Sequence, residues 1–137
     1  MNFLNNILAK QEAIRAQAFD GLMLNTEGDV AECTTSNVFF VRGDRLCTPA
    51  VSCGILDGIT REVVLMLAQE EGVTVEEGRY KPEALYEADE CFLTNTSMEV
   101  MPVLTIDSRL IGERNRRPVT KSLQEAFRRG LPRFLEQ

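Results

Sequence analysis

Three short segments of this 137-residue chain place residue types that can do chemistry at close spacing. The first is Val30-Ala31-Glu32-Cys33-Thr34-Thr35-Ser36-Asn37, a carboxylate at the end of a β-prone stretch followed by small polar residues. Taken alone it reads as an edge-strand glutamate and a turn, because most glutamates are solvated. In a cavity, Glu32 would instead hold a cationic ring nitrogen, with Ser36 and Asn37 organising the hydrogen bonds around it. The second is Gly54-Ile55-Leu56-Asp57-Gly58-Ile59-Thr60-Arg61, a glycine-bearing loop that runs straight into a helical pattern. The free amides and dipole of a helix start make an anion site, to which Thr60 adds a hydroxyl. The plainer alternative is a helix start capped by Asp57. The third, Leu93-Thr94-Asn95-Thr96-Ser97, sets hydroxyls and an amide directly after an apolar run. It is either a polar turn or a grip for a phosphate or carboxylate.

Such segments need elements to position them. Phe3, Leu4, Ile7, Leu8 and Ile14 recur at helical spacing and predict a helix over 2–17. Residues 19–24 and 30–32 read as a hairpin closed by the turn Thr26-Glu27-Gly28-Asp29. Asn37 to Arg42 is a strongly β-prone run, turned at Gly43-Asp44 into a short strand over 45–48 that Pro49 stops. After a loop over 50–57, a helix over 58–71 carries Ile59, Val63, Val64, Leu67 and Ala68 on one face and ends at Gly72. A strand over 73–80, a short helix from Pro82 to about 88 and a strand over 90–94 follow. Further strands over 100–106 and 109–111 precede a last helix, opened by Pro118, that carries Leu123, Ala126 and Phe127 and ends near Gly130 and Pro132. Helices and hairpins interleave, which predicts a mixed α/β (α+β) domain, with helices against a mixed sheet and no pure doubly wound order.

Composition narrows the function. The formal net charge of −6 argues against a nucleic-acid binder and against docking on an anionic membrane surface. The chain has no histidine, which excludes histidine-based triads. Its four cysteines, Cys33, Cys47, Cys53 and Cys91, form no C-x-x-C pair, so zinc fingers and ribbons are not expected, nor any other metal site. They read as reduced core or site-lining residues of a cytosolic protein. No run approaches the roughly 20 apolar residues of a membrane helix. The N-terminus lacks the basic start and long apolar run of a secretory signal, so a cytoplasmic location is expected.

One acid for a pyridinium and two separate anion grips are together what pyridoxal phosphate asks of a protein. The stretches LNNILAKQEA, GLMLNTEGDVAECTTSNVFFVRGDRLCTP, GILDGITREVVLMLAQEEGV, ADECFLTNTSMEVMPV and RRPVTKSLQEAF cover nearly the whole chain. In order and spacing they resemble the C-terminal domain of class IV (fold type IV) aminotransferases. That family includes branched-chain and D-amino acid aminotransferases and aminodeoxychorismate lyases.

The resemblance implies one C-terminal cofactor-binding domain over 1–137, with a pseudo-barrel-like mixed sheet and helices packed outside it. It implies pyridoxal 5′-phosphate as cofactor. Glu32 would bond the protonated ring nitrogen, Leu56 would pack on the ring, and Ser36 and Asn37 would support the region of the ring hydroxyl. Gly58, Ile59, Thr60, Asn95 and Thr96 would hold the phosphate, and Ser97 would lie by the substrate carboxylate. The family's catalytic lysine is expected two residues upstream of Met1, and Lys10 matches a different, solvent-facing lysine. The chain alone is therefore expected to be inactive and to bind the cofactor weakly, through its phosphate. Arg114, Arg116 and Arg117 stand where relatives often have a glycine-rich loop, and read as a solvated turn or as contacts to an acidic substrate. The implied activity is amino transfer between a branched-chain or D-amino acid and a 2-keto acid, within a homodimeric full-length enzyme. The alternatives are elimination of pyruvate from aminodeoxychorismate, or a non-catalytic half-domain.

Overall fold

The structure, a computed structural model, describes residues 22–33, 36–53, 58–95, 99–106, 109–112 and 117–135. The helix expected over 2–17 lies outside them. In chain order the strands are β1 (Leu22–Leu24), β2 (Val30–Cys33), β3 (Asn37–Arg42), β4 (Arg45–Pro49), β5 (Thr74–Gly78), β6 (Glu90–Asn95), β7 (Glu99–Pro102), β8 (Thr105–Ile106) and β9 (Arg109–Leu110). The helices are α1 (Ile59–Glu70), α2 (Pro82–Tyr86) and α3 (Pro118–Leu135), and a 3-10 turn spans Val51–Cys53. Five strands form one sheet in the order β5-β4-β3-β6-β7. Only β4 and β5 run parallel, because α1 carries the chain back between them. The other neighbours are antiparallel, so the sheet is mixed, as the interleaved pattern predicts.

β3 is the central strand, and its alternation feeds two cores. Phe39 and Val41 join Leu46, Phe92 and Val100 on one face, covered by Val63, Val64, Leu67 and Ala68 of α1 and by Leu123, Ala126 and Phe127 of α3. Phe39 and Phe92 lie opposite each other in the ladder, their rings stacked at 5.0 Å. Val38 and Phe40 point the other way, to Cys47, Cys91, Leu93, Val30 of β2, Tyr80, Leu85 and Ile111. There Phe40 meets the edge of Tyr80 at 4.8 Å. Cys47 and Cys91 are buried free thiols, and burial pushes the Cys91 thiol up to about 12, which leaves it inert at neutral pH.

Local signals set the ends of α1. Gly72 takes φ 78, Val73 N–H donates to Ala68 O at 2.9 Å, and Gly72 N–H donates to Gln69 O at 3.1 Å. That is the Schellman arrangement, with Val73 packed against the helix-side core. Three expectations fail. The strand expected over 100–106 divides into β7 and β8: β7 pairs with β6 as far as Pro102, with Val103 N–H still donating to Cys91 O at 2.8 Å, whereas β8 pairs with β9. Helix α3 runs past Gly130 and Pro132 to Leu135; a glycine costs a formed helix only about 1 kcal/mol. Ile59, counted on the apolar face of α1, is 80% exposed, since the core takes up the helix only from Val63 onward.

The β1–β2 turn is pinned to the loop before α2. Asp29, buried beneath that turn, pairs with Lys81 at 2.8 Å and with Arg79 at 3.5 Å. The Lys81 hydrogen bond, opposed by burial, holds the Asp29 carboxyl below its ordinary value of 3.8. A depressed carboxylate stabilises the fold above its unfolded value and loses that contribution as pH falls through the folded one. Thermal midpoints measured from pH 6 down to pH 2 are therefore expected to fall below about pH 4. Asp29→Asn is expected to lower the plateau and flatten that acid limb; identical limbs would refute the assignment.

Candidate functional site

Glu32 lies in β2 opposite Met23, and its side chain is 5% exposed. Its Oε2 accepts a long hydrogen bond from Asn37 Nδ2 at 3.4 Å. Asn37 is the first residue of β3, and a β-carbon on Gly58 would lie 3.3 Å from its Oδ1. In the ladder Asn37 stands opposite Thr94 of β6. One side chain thus gathers all three segments singled out in the sequence: the acid of the first, the helix start of the second and the strand end of the third.

Among the described residues, no side chain caps the start of α1. Gly58 is its N-cap and offers no side-chain bond; Asp57, the alternative cap, lies outside the described residues. The first turn closes from Glu62 N–H to Gly58 O at 3.1 Å, so the amides of Ile59 and Thr60 have no partner within the helix. Thr60 is buried beside them. Arg61 follows, 1% exposed, and donates to Glu77 Oε1 at 2.5 Å, Glu62 Oε1 at 3.0 Å and the Pro49 carbonyl at 3.2 Å. It ties the first turn of α1 to the ends of β4 and β5. A cation there also adds to the positive end of the helix dipole.

Thr94 and Asn95, expected in a polar loop, belong to β6, because the ladder runs on through Thr94–Val100 and Asn95–Glu99. Thr94 is 1% exposed, and among the described residues its Oγ1 has no hydrogen-bond partner. Ser36 is buried next to Asn37. Leu56, Thr96 and Ser97 lie outside the described residues, as do Arg114 and Arg116. Arg117 is no solvated turn residue: its Nη2 donates to Ile111 O at 2.6 Å and its other guanidinium nitrogens are buried. Sequence reasoning gave Arg61 no role. Its helical phase carried the signal, since Arg61 shares a face with Val64, Leu65 and Ala68, all buried.

A buried carboxylate near a helix start that has no side-chain cap among the described residues suits a ligand that carries both a cationic ring and an anion. The family model described as amino-transferase class IV matches residues 1–106. A putative branched-chain-amino-acid aminotransferase of Methanocaldococcus jannaschii is 43% identical over 128 residues, 93% of this chain and 44% of that protein. The D-alanine aminotransferase of Bacillus licheniformis is 39% identical over 96% of this chain and 46% of its own length. Among solved structures, the branched-chain amino acid aminotransferase of Escherichia coli superposes with a TM-score of 0.89 at 38% identity, over 92% of this chain and 41% of that one. The branched-chain amino acid aminotransferase of Thermobaculum terrenum, solved in its PLP-bound holo form, gives 0.88 at 41% identity, over 92% and 41%. The chain belongs to the class IV aminotransferase family. It spans less than half the length of these relatives.

Proposed function

We propose that this chain is the cofactor-gripping domain of a pyridoxal-phosphate enzyme that moves an amino group between an amino acid and a 2-keto acid. The named relatives point to branched-chain or D-amino acids as donors. The reading extends to a homodimeric enzyme working in the cytoplasm. The observation that carries it is the meeting of Glu32, Asn37 and the start of α1. Bound pyridoxal phosphate supplies an electron sink.

The residues fit that group. Glu32 is buried, so its carboxylate is a strong acceptor for a protonated ring nitrogen and keeps that proton in place. The Ile59 and Thr60 amides and the Thr60 hydroxyl would hold the phosphate, with the helix dipole adding to the grip. Arg61 holds that turn against β4 and β5. The unpartnered Thr94 hydroxyl is a further polar atom at the convergence of strands. By resemblance, Asn95 and Thr96 would complete the phosphate grip, Leu56 would cover one ring face, Ser36 would support the ring hydroxyl and Ser97 would meet the substrate carboxylate.

The test uses the 137-residue chain and pyridoxamine 5′-phosphate, which has no aldehyde to react with surface lysines. Saturable binding is expected, with ligand at about 100 times its Kd stabilising the fold by about 2.7 kcal/mol. That corresponds to a rise of several degrees in Tm. Inorganic phosphate should compete, and no transamination is expected from the chain alone. Absence of saturable binding would remove the cofactor assignment; turnover by the chain alone would remove the expectation that it needs a lysine from elsewhere.

A further inference from the structure

We infer that Asn37 is a positioning residue that couples the two grips, holding the Glu32 carboxylate at one end and seating the start of α1 at the other. The inference rests on the cofactor reading above and assigns Asn37 a different task from support of the ring hydroxyl. The geometry is specific. Asn37 Nδ2 donates to Glu32 Oε2, and Asn37 Oδ1 faces Gly58 so closely that a β-carbon there would sit at 3.3 Å. The backbone does not explain the glycine, since Gly58 has φ −72 and ψ 153, which any residue adopts. The neighbouring amide leaves little room for a side chain at the cap.

Asn37 is itself fixed from behind. It is the first rung of β3, held opposite Thr94 in a ladder that continues through Val38–Leu93 and Phe39–Phe92. A methyl group on Gly58 would therefore press on the amide, by a few tenths of an ångström, rather than on a free end of chain. The displaced amide then takes its donor away from Glu32. A disturbance at the phosphate end thereby reaches the acid that holds the ring nitrogen, through one side chain.

The experiment is a double-mutant cycle on the whole chain: wild type, Asn37→Ala, Gly58→Ala and the double variant. Affinity for pyridoxamine 5′-phosphate is measured by calorimetry, and protonation of the ring by the nitrogen-15 shift of ring-labelled ligand across pH. Each single change is expected to weaken binding about fivefold or more, and the double variant to bind no worse than Asn37→Ala, a non-additivity of the size seen for residues in contact. In both single variants the bound ring is expected to lose its proton at lower pH than in the wild type. Additive losses, or an unmoved ring titration, overturn the coupling while leaving the cofactor reading intact. No binding by the wild type overturns the cofactor reading, and the coupling with it. Ligand-free unfolding is followed in parallel. If Asn37→Ala does not unfold cooperatively, Asn37→Thr, a residue suited to strands, replaces it in the cycle.

Discussion

Replacing Glu32 with glutamine is expected to lower kcat of a full-length transaminase containing this chain by roughly 10- to 100-fold. The size follows from one charge-assisted hydrogen bond, worth about 1.5–3 kcal/mol, at about 1.4 kcal/mol per tenfold change in rate. Glutamine is nearly isosteric, and at 5% exposure the site has little room for water to replace the lost charge. The neighbouring amide of Asn37 can still donate to a glutamine oxygen, so the fold should be little disturbed. What changes is the ring: a neutral partner no longer favours its proton, and the ring becomes a poorer sink for the electrons released from the substrate. KM for the amino acid is expected to move far less than kcat, because Glu32 is assigned to the cofactor. Half-reactions followed by stopped-flow absorbance separate the two. A variant that turns over at the wild-type rate would remove Glu32 from the ring nitrogen.

The second large effect is structural. Glu90, the first residue of β6, is 2% exposed and has both carboxylate oxygens at the start of α3. It accepts from Thr120 N–H at 2.8 Å and from Val119 N–H at 3.2 Å. α3 has no acidic residue in its own first turn, so a strand distant in sequence supplies the negative charge that a helix start favours. Glu90→Ala removes the cap, at up to about 2 kcal/mol. It also leaves amides buried without acceptors, at about 1–3 kcal/mol more. A loss of about 3 kcal/mol is expected, roughly 10 °C in Tm for a domain of this size. Glu90→Gln keeps an acceptor and should lose about a third as much. Thermal unfolding of the pair checks the assignment, and equal midpoints for alanine and wild type would refute it.

The glutamate within the stretch ADECFLT therefore holds a helix in place, while the glutamate of the first segment lines the candidate site. The sequence does not distinguish the two, because each is a strand glutamate followed by a cysteine. Strand positions were legible for β3 and β6 from their apolar and aromatic runs, and for β4 from the Gly43-Asp44 turn before it and Pro49 at its end. The end of α1 was legible from Gly72. The split of β7 from β8 was not, because β7 pairs with β6 and β8 with β9, and pairing is a tertiary fact. Arg61 was hidden for a related reason: arginine is rarely buried, and its burial depends on carboxylates from Glu62 and a remote strand. At the site, the residue types were readable, but the contact of Asn37 with Gly58 was not, since it spans 21 positions and depends on how α1 is set against the sheet.

Because Asn37 is the opening rung of β3, the site inherits its alignment from strand pairing. Side chains alternate along a strand, so deleting or inserting a single residue between Asn37 and Arg42 would exchange the aromatic rings of the two cores and turn the amide away from its acid at the same stroke. The length of the central ribbon is therefore held from both sides. Selection for function and selection for folding act there on the same count of residues.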